Sequence, residues 1–464
     1  MNSADRVVAA WTRPRVRLMD ASRWAMVAAA ASVPFSTAAT NVAMGVALLL
    51  LLLSGAGGAV LRRMARNPVA RACAAMWLLV VAGTAWSSAP AGEALMAVDK
   101  YRELLVLAWG TVAFRPARWR VRVLAAFLAS ATLLLLVSTG LGLQAVARLG
   151  SLDANVNATV LRHHITHSYV IAVAAAVGWL WMRRVRGRPA RVAAIVLALV
   201  AVADLLLLIQ GRTGQVVLAA IIVMLALRRR GLRGAVLSLA CVLLVAGTAY
   251  QLSPSFAARV DRAGADIAGF SEHDYLTSLG SRLNFVRESV GIWRAHPVLG
   301  TGTGSWTHEF RARLTPRARA GGENNRAGHP HNEYVHILVQ LGVVGLGAFL
   351  LLIGLWTRSA MRLPEPWAGV ALVVITAFVV ACLANSLLWD SVEAHLTALL
   401  LAAAFSSATR ERRGVAAWIG PTGGVPPGSV PARTMNPHEE TKDDASHHRT
   451  LPGSDAGEPA RRHP

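Results

Sequence analysis

The residues best suited to chemistry fall in one polar, arginine-rich stretch, 282–347. It runs to His329-Pro330-His331-Asn332-Glu333-Tyr334 at the threshold of an apolar segment that carries Gly342 and Gly345. A histidine at a membrane–water boundary titrates near working pH, so His331 is a candidate general base. An interfacial or helix-capping histidine is the plainer reading of the same position. Pro330 restrains the backbone before it, and helical spacing would place Tyr334 one turn further along the same face. A second candidate is Arg212, in the tight turn Gln210-Gly211-Arg212-Thr213-Gly214 between two apolar runs. Guanidinium stays charged and meets phosphate oxygens through a planar fork. Arg212 is therefore either a phosphate clamp or an arginine snorkelling from a hairpin.

Weaker signals accompany these. In Asp99-Lys100-Tyr101-Arg102-Glu103 the charges either pair among themselves, or Lys100 and Arg102 steer an anionic headgroup. Asp390, in Trp389-Asp390-Ser391, is an N-cap for the last apolar run or the orienter of a catalytic group. His163 and His164 follow Arg162, with His167 nearby; adjacent histidines do not share a helix face, and no acid or cysteine stands at ligand spacing. Gly300-Thr-Gly-Thr-Gly304 has no βαβ unit around it, so a dinucleotide site is excluded. It reads as a flexible turn, one that would let a backbone approach a phosphate. The stretch 252–333 holds no Asp-x-Asp and no paired carboxylates, so neither a metal nor another cofactor is expected.

These residues must be positioned by membrane helices. The chain has 464 residues, 54% of them hydrophobic, and a mean hydropathy of +0.45. Its unbroken apolar runs predict an all-α integral membrane protein of about 12 spans. They fall near 24–39, 41–60, 69–87, 96–114, 121–141, 166–182, 191–210, 213–227, 234–251, 334–357, 368–388 and 391–407. Arginine clusters precede the first span and follow the even-numbered ones, as at Arg62/Arg63/Arg66/Arg71, Arg183/Arg184/Arg186/Arg188/Arg191 and Arg228/Arg229/Arg230/Arg233. That asymmetry puts both termini in the cytoplasm and the long loop 252–333 outside. Residues 1–23 read as the cytoplasmic start of an uncleaved signal anchor. The tail 408–464, rich in Pro, Gly, His and charge, reads as disordered.

The net charge of +22 lies mostly in the topogenic clusters and the tail, so it does not point to nucleic acid. Cys73, Cys241 and Cys382 each fall within an apolar run and read as packing residues.

Nine residues separate His331-Asn332 from Gly342, and two more precede Gly345. This His-Asn-x9-Gly-x-x-Gly arrangement resembles the signature of the bacterial O-antigen ligase family. The upstream His296-Pro-Val-Leu-Gly-Thr-Gly-Thr-Gly304 resembles a segment of the wider ligase/polymerase superfamily. The two helix glycines also read as small residues that let a helix approach its neighbour. The resemblance implies a GT-C-like membrane glycosyltransferase of the bacterial inner membrane, with its active site facing the periplasm. It further implies an arginine before the amphipathic run Phe285–Trp293, which is Arg282 here, with Arg287 as the alternative on a solvated face. Arg212 matches the family's arginine in an outer turn.

By the same resemblance the donor is a polysaccharide on undecaprenyl diphosphate and the acceptor a lipid A–core sugar, with membrane lipids around both. His331, Arg212 and Arg282 would be catalytic. Lys100, Arg102, Arg287, Asn332, Tyr334 and Asp390 are weaker substrate-binding candidates. The transfer would be inverting and metal-independent. An O-antigen polymerase, a protein O-oligosaccharyltransferase and a lipid or glycan transporter are the alternatives.

Overall fold

The computed structural model describes residues 3–149, 163–183, 187–209, 211–252, 254–269, 278–314 and 328–408. Arg162, Arg184, Arg186, Gln210 and the expected disordered tail beyond 408 lie outside the described residues. Among the described residues all regular structure is helical. The first group is α1 (Ser3–Ser32), α2 (Thr37–Leu53), α3 (Gly57–Met64), α4 (Pro68–Ala82), α5 (Ala91–Lys100), α6 (Glu103–Ala113), α7 (Ala117–Leu149), α8 (His164–Met182) and α9 (Arg188–Ala203). There follow α10 (Arg212–Leu252), α11 (Pro254–Ala268), α12 (Ser278–Ala295), α13 (Trp306–Arg313), α14 (Glu333–Met361), α15 (Trp367–Ala381) and α16 (Ser391–Phe405).

Helices overlie each of the twelve apolar runs, but they differ in what they can span. Six are long and apolar enough to cross a membrane, and α2 with α3 makes a seventh if that pair, bent by 107°, counts as one. The expected fourth span, 96–114, is broken: α5 ends at Lys100 and α6 starts at Glu103, with Tyr101 and Arg102 forming the corner. The polar run there takes Arg102 into ion pairs with Asp99 and Glu103, which a continuous span would not accommodate. Gly231, at φ 62°, separates the two halves of α10 within its arginine cluster.

The two central helices, α15 and α16, are only 15 residues each yet almost wholly buried. They are packed by α6, α7, α8, α10 and α14, so other helices rather than lipid surround them. The outside is apolar instead: Leu48, Leu49, Leu52, Leu199, Leu243 and Leu244 are all exposed. In water such a surface would drive association, and a bilayer satisfies it. Asp204 is the conspicuous acid inside a span. It is buried in a π-helical turn, Asp204–Leu208, where Ser138 Oγ donates to it at 3.0 Å and Thr139 Oγ1 at 3.4 Å.

Two arginine clusters meet the ends of other elements at one end of the bundle. Arg228 pairs with Glu365, and Arg120 donates to the Ser406 carbonyl at 3.2 Å. The chemistry-bearing residues gather at the opposite end, where α12 and α13 form a small outer layer. Its core is Phe285, Ile292, Trp306, Phe310, Leu314 and Val339. Trp306 stacks on Phe310 at 4.9 Å, and Phe285 meets both edge-on at 5.8 and 5.2 Å.

The glycine loop has a structural role that the sequence reading did not give it. α14 is broken at Gly342 (φ 63°, ψ −161°), which strips Val339 and Gln340 of their helical acceptor bonds. The loop replaces them: Thr301 N–H donates to Val339 O and Gly302 N–H to Gln340 O, both at 2.9 Å. The freed donors turn to the same loop, Val343 N–H to Pro297 O at 2.9 Å and Val344 N–H to Val298 O at 3.3 Å. Backbone polar groups near the hydrocarbon need such partners. Gly300-Thr-Gly-Thr-Gly304 is therefore a buried stitch rather than a flexible, phosphate-approaching turn. Gly342 likewise serves a left-handed break, where a Cβ would strike the Val298 carbonyl, rather than a helix–helix approach.

Candidate active site

The site is built where the starts of α8, α10, α12, α14 and α16 meet the turn that holds Asn385. Asn332 caps α14, its Oδ1 accepting from Val335 N–H at 3.1 Å while its Nδ2 donates to Leu383 O at 3.1 Å. This pins the residue before the helix and leaves His331 just outside it, with φ 53°, in the left-handed region that non-glycine residues seldom occupy. Such strain concentrates where a surrounding structure fixes a residue for function. Because His331 precedes the helix, Tyr334 does not share its face. The Tyr334 hydroxyl donates to Val379 O at 2.9 Å and its ring meets Phe349, between α14 and α15.

A second layer fixes the His331 ring. Its Nδ1 lies 3.0 Å from Asn385 Oδ1, and Asn385 Nδ2 donates to the Asp390 carboxylate. An ionised carboxylate only accepts, so the amide must turn its NH2 towards Asp390 and its oxygen towards His331. That orientation requires the proton on Nδ1 and leaves Nε2 with its lone pair. Phe285 stacks on the ring at 6.0 Å, and His329 tilts against it at 4.3 Å. His329 Nδ1 accepts the His331 backbone N–H at 3.2 Å, so the proton of His329 sits on Nε2, 3.7 Å from Asp390 Oδ1. Asp390 stands at the N-cap position of α16, but its side chain makes no capping bond; it serves this histidine–amide layer instead.

Electrostatics link the arginines to this layer. Burial holds the His331 pKa below the usual histidine value; the Asn385 bond opposes that, and the nearby charges of Arg282 and His163 add to it. Arg282, on the first turns of α12, has its own pKa lowered by burial and then by Arg212. His331, Arg282 and Arg212 thus lie in one electrostatic neighbourhood, although Arg212 starts α10 and the other two belong to later elements. Among the described residues neither arginine forms an ion pair.

Close packing at α8 positions Arg212. A Cβ on Gly211 would meet His164 O and Ser168 Oγ, and one on Gly214 would meet the Ser168 backbone. Gly214 N–H also donates to Ser168 Oγ at 3.2 Å. The glycines flanking Arg212 therefore press its turn against the start of α8, which brings His163 and His164 to the same place. Those two rings lie 4.1 Å apart, and burial, with Arg282 second, lowers the His163 pKa.

The weaker candidates divide. Arg102 is held by Asp99, by Glu103 at 3.2 Å and by Asn41 Oδ1 at 2.7 Å, so its charge is already matched. Lys100 instead lies with its ammonium 5.8 Å from the Trp389 ring centre, and its charge acts on Asp390 and His329. Arg287 is exposed and five residues beyond Arg282, about 140° around the helix. Arg282 is the arginine whose charge reaches His331. The sequence reading missed Asn385, gave His329 no role of its own and weighed His163 only as a metal ligand. Asn385 left one trace, a polar Asn385-Ser386 pair at the end of an apolar run, five residues before Asp390.

Among the described residues no group of three or more His, Cys, Asp or Glu side chains stands together as metal ligands would. The arrangement offers a neutral imidazole with a fixed tautomer in the neighbourhood of two permanent cations that pair with no acid among the described residues. It is suited to deprotonating a hydroxyl next to a bound anion.

No curated protein matches the chain. Residues 197–350 match the family model described as O-antigen ligase, a stretch that holds Arg212, Arg282, His331 and Gly342 but stops short of Asn385 and Asp390. Over that stretch, about a third of its length, this membrane protein is similar to the O-antigen ligase family.

Proposed function

We propose that the protein is an O-antigen ligase that transfers polysaccharide from undecaprenyl diphosphate to a hydroxyl of lipid A–core, with inversion and without a metal. His331 Nε2 accepts the proton of the acceptor hydroxyl as its oxygen attacks the anomeric carbon. The glycosidic bond to the diphosphate breaks on the opposite face, and the electron pair leaves with undecaprenyl diphosphate. Arg212 and Arg282 stabilise the charge that builds there, the part a divalent cation plays in other phosphate chemistry. The observation that carries this reading is the neighbourhood of His331, Arg282 and Arg212, with His331 held in one tautomer by Asn385 and Asp390.

The deciding experiment is a deletion strain examined for its lipopolysaccharide and complemented with wild type or His331→Ala. A ligase leaves free lipid-linked polymer and bare core, restored by wild type and not by the variant. A single repeat unit on the core would mean a polymerase, and an intact ladder with unglycosylated proteins a protein glycosyltransferase. Transfer with purified components should continue undiminished in excess chelator; a loss that Mg²⁺ restores would overturn the metal-independent scheme.

A further inference from the structure

Glu333 follows His331 and Asn332 directly, yet no step of the transfer uses it. It has no exposed surface, and among the described residues it forms no ion pair. Its carboxylate meets hydrogen-bond donors instead: Leu388 N–H donates to Oε2 at 3.0 Å and the Tyr101 hydroxyl to Oε1 at 3.3 Å. The direction of that second bond is set further back. Gly304 N–H donates to Gln340 Oε1 at 2.7 Å, so the Gln340 amide turns its NH2 to Tyr101, whose oxygen accepts at 3.2 Å. The Tyr101 proton is thereby left for Glu333. Gly304, Gln340, Tyr101 and Glu333 are all buried, and they come from the glycine loop, α14 and the α5–α6 corner.

Two further bonds tie the start of α14 to the same turn. Glu333 N–H donates to Cys382 O at 2.9 Å, and Asn332 Nδ2 donates to Leu383 O at 3.1 Å. With the Leu388 bond, the segment from Cys382 to Leu388 is held at both ends, and Asn385, the partner of His331 Nδ1, lies between. We propose that Glu333 is a positioning residue for His331: its carboxylate fixes the turn that carries Asn385, and the Gln340–Tyr101 chain fixes the carboxylate. A carboxylate taken out of water without a cation is costly unless its oxygens are hydrogen-bonded. These two donors need an acceptor at both ends. A glutamine amide would set its NH2 against either Leu388 N–H or the Tyr101 hydroxyl. The inference rests on the ligase reading for what His331 does, while the state of its ring can be read without substrate.

The test uses the full-length protein in lipid nanodiscs. In transfer from a lipid-linked donor to lipid A–core, Glu333→Gln is expected to lower kcat about tenfold, the scale of one buried contact left unmade, with both KM values within about twofold. The deciding measurement is the cycle with Asn385→Ala. Because Glu333 works through Asn385, Glu333→Gln should cost no more than about twofold in that background. A general loss of structure would multiply with it instead. Tyr101→Phe keeps the Leu388 bond, lowers kcat less, and supplies the same cycle should Glu333→Gln fail to fold.

A second readout needs no substrate. In protein with isotopically labelled histidine nitrogens, the His331 signals are identified by their absence in His331→Ala. With the ring neutral, wild type should show the proton on Nδ1 alone, and Glu333→Gln should admit the other tautomer. An unchanged kcat in Glu333→Gln, strict multiplication with Asn385→Ala, or an unchanged His331 tautomer overturns the positioning role. A wild-type protein inactive on lipid A–core overturns the ligase reading alone, and the tautomer measurement then decides whether Glu333 orients the ring.

Discussion

His331 Nδ1 lies 3.0 Å from Asn385 Oδ1, and the same amide donates to Asp390. The His331 ring is therefore oriented through an amide whose own orientation an anion dictates. Asn385→Ala removes the acceptor for Nδ1–H and frees the ring to adopt the other tautomer. The expected result is a fall in kcat of about 10- to 100-fold, the scale of losing an outer-layer partner, with the donor KM little changed. Single-turnover transfer rates at saturating donor measure this. A kcat within about twofold of wild type would remove Asn385 from the orienting role.

The pH profile should carry the same signature. Burial raises the Asp390 carboxyl to about 6, against the opposing effects of Asn385 and Lys100. The sign follows directly: above that pH Asp390 is an anion that fixes the amide, and as pH falls through it the anion is lost. Burial holds His331 below the ordinary histidine range, so the base itself survives to lower pH. The acid limb of kcat/KM should accordingly sit near 6 and report Asp390. Asp390→Asn keeps an acceptor for the Asn385 amide but cannot titrate, so its residual activity should hold to lower pH. An identical acid limb in that variant would reassign it to another group.

Arg212 and Arg282 reach the site from elements far apart in sequence, and Arg212 depresses the Arg282 pKa. Two cations held together, with no acid paired to either among the described residues, repel until an anion joins them. Each arginine changed to alanine should cost on the order of 10²–10³ in rate. Lysine keeps the charge but loses the fork, so it should recover only part of that loss. Because both would act on one diphosphate, the double variant should lose less than the product of the two single losses. Strict multiplication in a transfer assay would argue that they act on different groups.

Legibility in the sequence followed the range of each interaction. Helix positions were legible because apolar runs and flanking arginines are local. The candidates Arg212, Arg282 and His331 were singled out through residue type and motif, and their electrostatic neighbourhood was not part of that pattern. Asn385 was not legible: its contact with His331 spans 54 positions and depends on the turn between α15 and α16. The corner at Tyr101 and Arg102 was hidden for a related reason. Tyr101 is buried and its hydroxyl donates to Glu333 at 3.3 Å, a contact 232 residues away that no local hydropathy pattern reports. Asp390 looked like a cap because its position fits one, yet its side chain turns to Asn385.

The break at Gly342 gives the last prediction. At φ 63° and ψ −161° the backbone lies in a region that is almost exclusively glycine's, so any side chain there costs roughly 1–3 kcal/mol in conformation alone. An added Cβ would also collide with the Val298 carbonyl, which is backbone and cannot rotate away. The stitch from Pro297 to Gly302 would have to move, and with it the outer end of α14 that presents His331. Gly342→Ala should therefore lower both the yield and the Tm of the detergent-purified protein, and abolish transfer. Gly347, in the same helix, is the control: a Cβ there meets nothing within 4 Å. Gly347→Ala should be neutral or slightly stabilising, since alanine is the better helix former. A Gly342→Ala protein as stable as wild type would show that the break is not fixed by the loop.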